Sequence, residues 1–315
     1  MITKHLDCVS AERLRRDLYY LCCDPLPFRK VNYTRPGQTR HSLAEAEDYI
    51  LGELRSAGLE VTKTMHQVQA FRCDSSKPLH HWYSAPAPED PFYEAANLEA
   101  VKPGQSRPEE IIQLISHKDS MSWIDSPGAH DNCSGTVANL ELARVLAAIP
   151  LQRTVRILFC NEEHTPWTSR FTAEAAAARK DNIIAVLNVD SLDGKSDADM
   201  AADVMTHAIG YSTDAGKQIA DMQLKLAERY TPQLRTSVFH KQRVNDDDGM
   251  FIKAGFVNTV MHLGSWPYGD SEYHLVGDTF ERVNIANLAM STRLILACVL
   301  TLDKEGFQFQ GTTTA

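Results

Sequence analysis

Several features are scarce or missing in this chain of 315 residues. No two cysteines form a C-x-x-C pair. The seven present stand at 8, 22, 23, 73, 133, 160 and 298, an odd number without a framework spacing. That excludes a disulfide mini-protein and predicts reduced, packed thiols in a cytoplasmic protein. No run approaches the ~18 uninterrupted apolar residues of a membrane span. The opening M-I-T-K-H-L-D-C lacks the apolar stretch of a signal peptide, so no leader is expected. Positive charge is in deficit: 32 Lys and Arg face 41 Asp and Glu, a formal net charge of −9. An acidic surface disfavours nucleic acid and anionic membrane as partners and favours cations. Repeats and low-complexity tracts are absent too. With 43% hydrophobic and 23% charged residues the chain is neither disordered nor collagen-like.

What is present alternates in a readable way. Residues 61–71 alternate enough to be a strand, and apolar, β-rich runs occur at 111–116 (I-I-Q-L-I-S), 154–160 (T-V-R-I-L-F-C), 182–190 (N-I-I-A-V-L-N-V-D) and 257–263. Helical patterns cover 11–23, 42–57, 134–148, 170–180, 212–230 and 284–302, the second stopping at Gly58. Continuous apolar strands alternating with helices predict an α/β fold. Its central sheet is expected to be mixed but mostly parallel, with helices on both faces in three layers. No linker divides the chain, so one domain is expected over 1–315. In it, 1–40 is a helical extension and the Pro-, Ser- and Asp-rich stretch 73–95 an irregular surface segment.

The polar residues that follow these strands carry the chemistry. His117 and Asp119 follow the 111–116 run. The segment G-A-H-D-N-C-S-G places Asp131 just before a helix. Asn161 and the pair Glu162–Glu163 follow 154–160. The run 182–190 ends on Asp190, and Y-H-L-V-G-D after 257–263 supplies Tyr273, His274 and Asp278. Ligands of open α/β sheets bind beyond the carboxyl ends of the strands, so these residues can converge. Two imidazoles and several carboxylates form a nitrogen–oxygen donor set suited to zinc, and also to cobalt or manganese. Adjacent glutamates on an extended segment point opposite ways, so one can coordinate while the other faces the water.

The ordered set H-x-D, G-A-x-D-N-x-S-G, E-E, N-x-D and Y-H-x-x-x-D resembles the co-catalytic zinc exopeptidases of metallopeptidase family twenty-eight. The resemblance runs from about residue 40 to 302. It implies two zinc ions per chain bridged by Asp131, with His117 and Asp190 on one and Glu163 and His274 on the other. Glu162 is then the general base and Tyr273 an oxyanion donor. Asp119 orients His117, Asp278 supports the site, and the Asp131–Asn132 peptide is cis. The implied activity is peptide hydrolysis, first as an aminopeptidase. The alternatives are a carboxypeptidase or dipeptidase of the same fold, a one-zinc glutaminyl cyclase, and a metal-free binding module. Where the family carries a glycine-rich turn, this chain has H-T-P-W-T-S-R (164–170), which brings Trp167 toward the substrate. The stretch N-D-D-D-G-M-F (245–251) resembles the family's S-D-H-x-x-F and makes Asp247 a candidate for the substrate ammonium. Arg243 and Arg170 are candidates for a substrate carboxylate. The oligomeric state is left open.

Overall fold

The computed structural model describes residues 2–310. In chain order it comprises α1 (Ile2–Leu6), α2 (Ala11–Cys22), α3 (Ser42–Ser56), β1 (Glu60–Ala70), β2 (Arg72–Cys73), β3 (Tyr83–Ser84), β4 (Tyr93–Lys102), β5 (Arg107–His117) and α4 (Gly135–Ala147). There follow β6 (Arg153–Cys160), β7 (His164–Thr165), α5 (Ser169–Arg179), β8 (Asn182–Val189), α6 (Asp197–Ala201) and β9 (Thr206–Tyr211). The chain continues through α7 (Asp214–Tyr230), β10 (Arg235–His240), α8 (Asp246–Lys253), β11 (Thr259–Leu263) and α9 (Ile285–Glu305). All five strands and six helices read from the sequence are present, with ends shifted by a few residues at most, except that β5 begins four residues earlier and α9 runs three residues further.

Nine strands form one sheet in the order β10-β9-β11-β8-β5-β6-β4-β1-β7. Its centre, β11-β8-β5-β6, is parallel. Antiparallel ladders join β9 to β11, β4 to β6 and β1 to β4, so the sheet is mixed around a parallel core. Side chains of the central strands alternate between two apolar clusters, as the pleat requires. Ile112 and Leu114 join the large cluster with α2, α4 and α9, whereas Ile111 and Ile115 join the smaller one with α5 and Phe251 of α8. Both faces are covered, which is why these strands read as continuous apolar runs. The segment α1–α2 is built into the large layer, where Leu14, Leu18 and Leu21 are fully buried. Helix α9 is apolar enough to span a membrane by composition, yet 78% of its most apolar window is buried within the protein.

The sequence pattern misses β4, β7, β9, β10, α6 and α8. Strand β4 (Y-E-A-A-N-L-E-A-V-K) is rich in Ala and Glu, which are depleted in strands, and its pairing on both sides supplies the stability its composition lacks. The stretch expected to be irregular at 73–95 contains the short β2–β3 ladder and the start of β4.

One consequence of the packing concerns acid. His207 of β9 and His262 of β11 are buried, their rings joined by a single hydrogen bond of 3.0 Å between Nε2 and Nδ1. Their outer nitrogens have no partner among the described residues. Desolvation pushes the His207 imidazole down to about 3. A histidine kept neutral when folded, but free to take a proton near pH 6.5 when unfolded, stabilises the fold fully above pH 6.5. That contribution shrinks as pH falls toward 3, because the unfolded chain then binds the extra proton. Near pH 4.5 the loss from His207 is about 2–3 kcal/mol. Between pH 7 and 4.5 His207 should therefore pull the urea midpoint of the metal-free native protein down relative to that of His207→Gln, whatever the other titrating groups add to both. Equal slopes for the two proteins would show that His207 is not the titrating group.

Candidate active site

The parallel strands end on one edge of the sheet, and the polar residues that follow them meet there. His117 closes β5, Glu162 and Glu163 follow β6, Asp190 follows β8, and His274 lies on the loop after β11. Asp131 lies in a tight irregular turn, 129–134, that leads into α4. Asn132 ties this turn to the end of β8. Its Nδ2 donates to the Val189 carbonyl at 2.9 Å, and its Oδ1 accepts from the Ser191 and Gly135 amides at 3.1 and 2.9 Å. At Gly135 a Cβ would stand 2.2 Å from the Val189 oxygen, so this close approach requires glycine. The Asp131–Asn132 peptide is cis.

The two oxygens of Asp131 face different imidazoles. Oδ1 is 3.1 Å from His117 Nε2, and Oδ2 is 3.1 Å from His274 Nε2. Each imidazole has a second carboxylate beside it: Asp190 Oδ1 at 3.4 Å from His117, and Glu163 Oε1 at 3.5 Å from His274. The far ring nitrogens are occupied. His117 Nδ1 faces Asp119 at 3.3 Å and His274 Nδ1 faces the His80 carbonyl at 2.8 Å, which leaves both Nε2 atoms turned inward as donors. Burial works against charge on His274, but Glu163 and Asp131 outweigh it and hold its imidazole at about 10. Desolvation pushes the Glu163 carboxyl up to about 7, against the pull of His274. Five buried donor groups turned toward one another, with an excess of carboxylates, suit divalent cations and little else.

Asp119 is fully buried and accepts four hydrogen bonds. They come from His117, from His164 Nδ1 at 2.7 Å, and from the Glu162 and Glu163 amides at 3.0 and 2.8 Å. Despite desolvation, its imidazole partners hold its carboxyl well below the usual carboxylate range. Asp278 accepts the His130 and Asp131 amides at 2.8 and 3.0 Å and so fixes the bridging turn. Glu162 also reaches the site, one of its carboxylate oxygens lying within 4.8 Å of the donor atoms of His117 and Asp190. Its Oε2 accepts the Asp247 amide at 3.0 Å, and desolvation, then the charges of Asp247 and Asp246, push its carboxyl well above the ordinary range.

A cavity of about 700 Å³ opens over these groups. Trp167, Arg243 and Tyr273 line it, as the sequence leads one to expect. Tyr273 stacks on His274 with ring centroids 3.8 Å apart, and burial keeps its phenol protonated as a donor. Asp247 is a correction. Its side chain is fully buried and turned toward Cys160 Sγ at 3.1 Å, away from the cavity, and only its backbone amide serves the site. Asp246 takes its place on the wall, paired with Lys241 at 2.9 Å. Arg170 is absent from the lining. His130 and His164, adjacent to site residues in sequence, lie beneath the cavity in carboxylate pairs. Trp266 and Tyr268, which the sequence also offers as pocket-wall aromatics, line the cavity, whereas Phe71, Tyr83, Trp123 and Phe239, the last stacked on Trp266 with centroids 3.9 Å apart, are missed. Isolated aromatics carry no spacing signal.

The model of peptidase family M28 matches residues 97–299, a segment that contains every residue of this cluster. This chain belongs to peptidase family M28. A probable aminopeptidase of Saccharomyces cerevisiae is 28% identical over 216 residues, covering 63% of this chain and 55% of that protein. A probable zinc metalloprotease of Pyrenophora teres f. teres is 28% identical over 171 residues, 48% of this chain and 33% of its own. The chain thus spans about half the length, or less, of these two relatives. An aminopeptidase from Aneurinibacillus sp. strain AM-1 shares the fold with a TM-score of 0.71 at 14% identity, over 96% of both chains. A glutaminyl cyclase from Bacteroides thetaiotaomicron shares it with a TM-score of 0.70 at 15% identity, over 92% of this chain and 97% of its own. Proteins named for two different activities therefore share this fold.

Proposed function

We propose that this chain is a zinc-dependent aminopeptidase that binds two ions. The observation that carries the reading is Asp131, whose two oxygens each face one imidazole with its own second carboxylate. One ion would be held by His117, Asp190 and Asp131, the other by Glu163, His274 and Asp131. The three carboxylates of Asp131, Asp190 and Glu163 would offset most of the charge of two divalent ions. When bound, the ions would polarise the scissile carbonyl and acidify the attacking water. Glu162 would take a proton from the attacking water and return it to the departing amine, a role supported by its place beside His117 and Asp190. The Tyr273 hydroxyl donates to the oxygen that gains charge. The apolar wall of Phe239, Trp266, Met261 and Leu263 suits an apolar side chain at the residue released. Metal analysis of zinc-saturated protein should find two ions per chain. One ion per chain would favour the cyclase reading, and none would remove the metal mechanism.

A second reading has one observation behind it. Arg243 lines the cavity without a carboxylate partner among the described residues, whereas Lys241 is neutralised by Asp246 and Asp248. A free guanidinium there suits a substrate carboxylate, as in a carboxypeptidase or dipeptidase. One comparison decides between these readings. A Leu-Ala dipeptide and a longer peptide beginning with Leu should both be cut when the amine is free and resist cleavage when it is acetylated. Cleavage of the acetylated forms at the same rate would replace the aminopeptidase reading with a carboxypeptidase. Cleavage of the dipeptide alone would replace it with a dipeptidase.

A further inference from the structure

Arg29 lies in the segment between α2 and α3, far outside residues 97–299, and is fully buried. No carboxylate lies within salt-bridge distance of it among the described residues. Its guanidinium instead donates to four backbone carbonyls: Nε to Lys118 at 2.8 Å, Nη1 to Leu21 and Pro127 at 2.7 Å each, and Nη2 to Gly128 at 2.9 Å. Its own backbone adds two more ties, its amide to Ser120 Oγ at 3.0 Å and its carbonyl to the Ser120 amide at 2.9 Å.

These partners are not scattered. Lys118 lies between His117 and Asp119, and Ser120 follows. Pro127 and Gly128 open the turn that carries Asp131, and the Gly128 carbonyl also accepts the Cys133 amide that closes it. One planar fork therefore holds both loops that deliver the two donors facing each other at 3.1 Å, His117 Nε2 and Asp131 Oδ1. Gly128 sits at φ +57°, where a Cβ would stand 2.3 Å from the Asp131 carbonyl oxygen and 3.2 Å from an Arg29 nitrogen, so the loop is folded tightly around the guanidinium. A lysine ammonium has neither the reach in several directions nor the planar geometry to replace it. Burying a charge without an acid partner is costly, and purely structural packing is better served by an apolar residue. The neighbouring residues follow the same course: the Val31 amide donates to His164 Nε2 at 3.2 Å, and His164 in turn supports Asp119.

We infer that Arg29 is a positioning residue for the metal site, setting the separation of His117 and Asp131 from a segment outside the family's matched region. The inference rests on the reading that this site binds zinc. The test uses the full chain and measures zinc affinity by chelator competition, the visible spectrum of the cobalt-loaded protein, and the melting temperature of the metal-free protein. Arg29→Lys should weaken zinc by roughly 10–100-fold, the usual weight of a group that orients a ligand, and shift the cobalt bands. Lys102→Met cuts a cation-to-carbonyl tie to Ala147 that touches no site residue, so it should lower the melting temperature alone. If Arg29→Lys lowers only the melting temperature, as Lys102→Met does, the inference is overturned. If Arg29→Lys does not fold, Ser120→Ala decides. That variant removes the acceptor of the Arg29 amide and should weaken zinc by about 3–10-fold; unchanged zinc affinity overturns the inference. Failure of the native chain to bind zinc overturns the metal reading itself, and with it this role for Arg29.

Discussion

Glu162→Gln should lower turnover by roughly 10²–10⁴-fold, the usual weight of a general base, while both ions stay bound. The side chain keeps its shape, and the amide oxygen of glutamine can still accept the Asp247 N–H that holds Glu162 at 3.0 Å. What is lost is the capacity to take a proton. Glu163→Gln should behave differently. Glu163 faces His274 at 3.5 Å on the opposite side of the chain, so the variant loses an anionic donor. One ion should loosen, and added zinc should restore part of the activity. Both variants need metal content and turnover measured together. If Glu162→Gln empties the site while Glu163→Gln keeps both ions but loses turnover, the two roles are exchanged. If both remain fully active, neither residue serves the site.

The distinction between the two glutamates also shows what a sequence can reveal here. His117, Asp131, Glu162, Glu163 and Asp190 were legible because each sits at or just beyond the end of a buried strand or at a helix entry, and parallel strands bring such ends together; His274, on the long loop after β11, was legible from its Y-H-x-x-x-D setting. The ordering of residue types did the rest. Asp247 was misjudged because the N-D-D-D-G-M-F resemblance gives its position in the chain but not the direction of its side chain. In the first turn of α8 that side chain turns down to Cys160, and the backbone amide turns up to Glu162. Support that comes from the backbone was invisible for the same reason. The carbonyl of His80, 194 residues from His274, fixes that imidazole, and no residue type marks a carbonyl. Arg29 left no trace either, since a lone arginine near an N-terminal helix reads as surface charge. The missed strand β4 depends on partners on both sides rather than on its own composition.

Asp119→Asn should harm stability and metal binding together, because one buried carboxylate holds both glutamates and two imidazoles. Its Oδ1 accepts from His117 Nδ1 at 3.3 Å and the Glu162 amide at 3.0 Å. Its Oδ2 accepts from His164 Nδ1 at 2.7 Å and the Glu163 amide at 2.8 Å. All four partners are donors, and asparagine puts an NH2 group where one oxygen stood. Whichever way the amide turns, one ring N–H and one backbone N–H meet another donor in a buried site. Each stranded donor costs about 1–3 kcal/mol, and removing one member of a buried charged pair costs about 3–5 kcal/mol. These figures overlap rather than add, so the expected loss is about 3–5 kcal/mol. The metal-free protein should melt roughly 10 °C lower at neutral pH. His117 loses the partner that fixes its ring, so zinc affinity should drop by roughly 10–100-fold. Turnover at limiting zinc should fall with it and recover in part at saturating zinc, because Glu162 itself remains. Asp119→Glu keeps the charge but is one methylene too long for the space. It should share the loss of stability while keeping more of the zinc affinity than asparagine does. An asparagine variant that melts within about 1 °C of the native protein and binds zinc as tightly would show that the four hydrogen bonds do not carry the site. Loss of stability with unchanged zinc affinity would confine Asp119 to the fold.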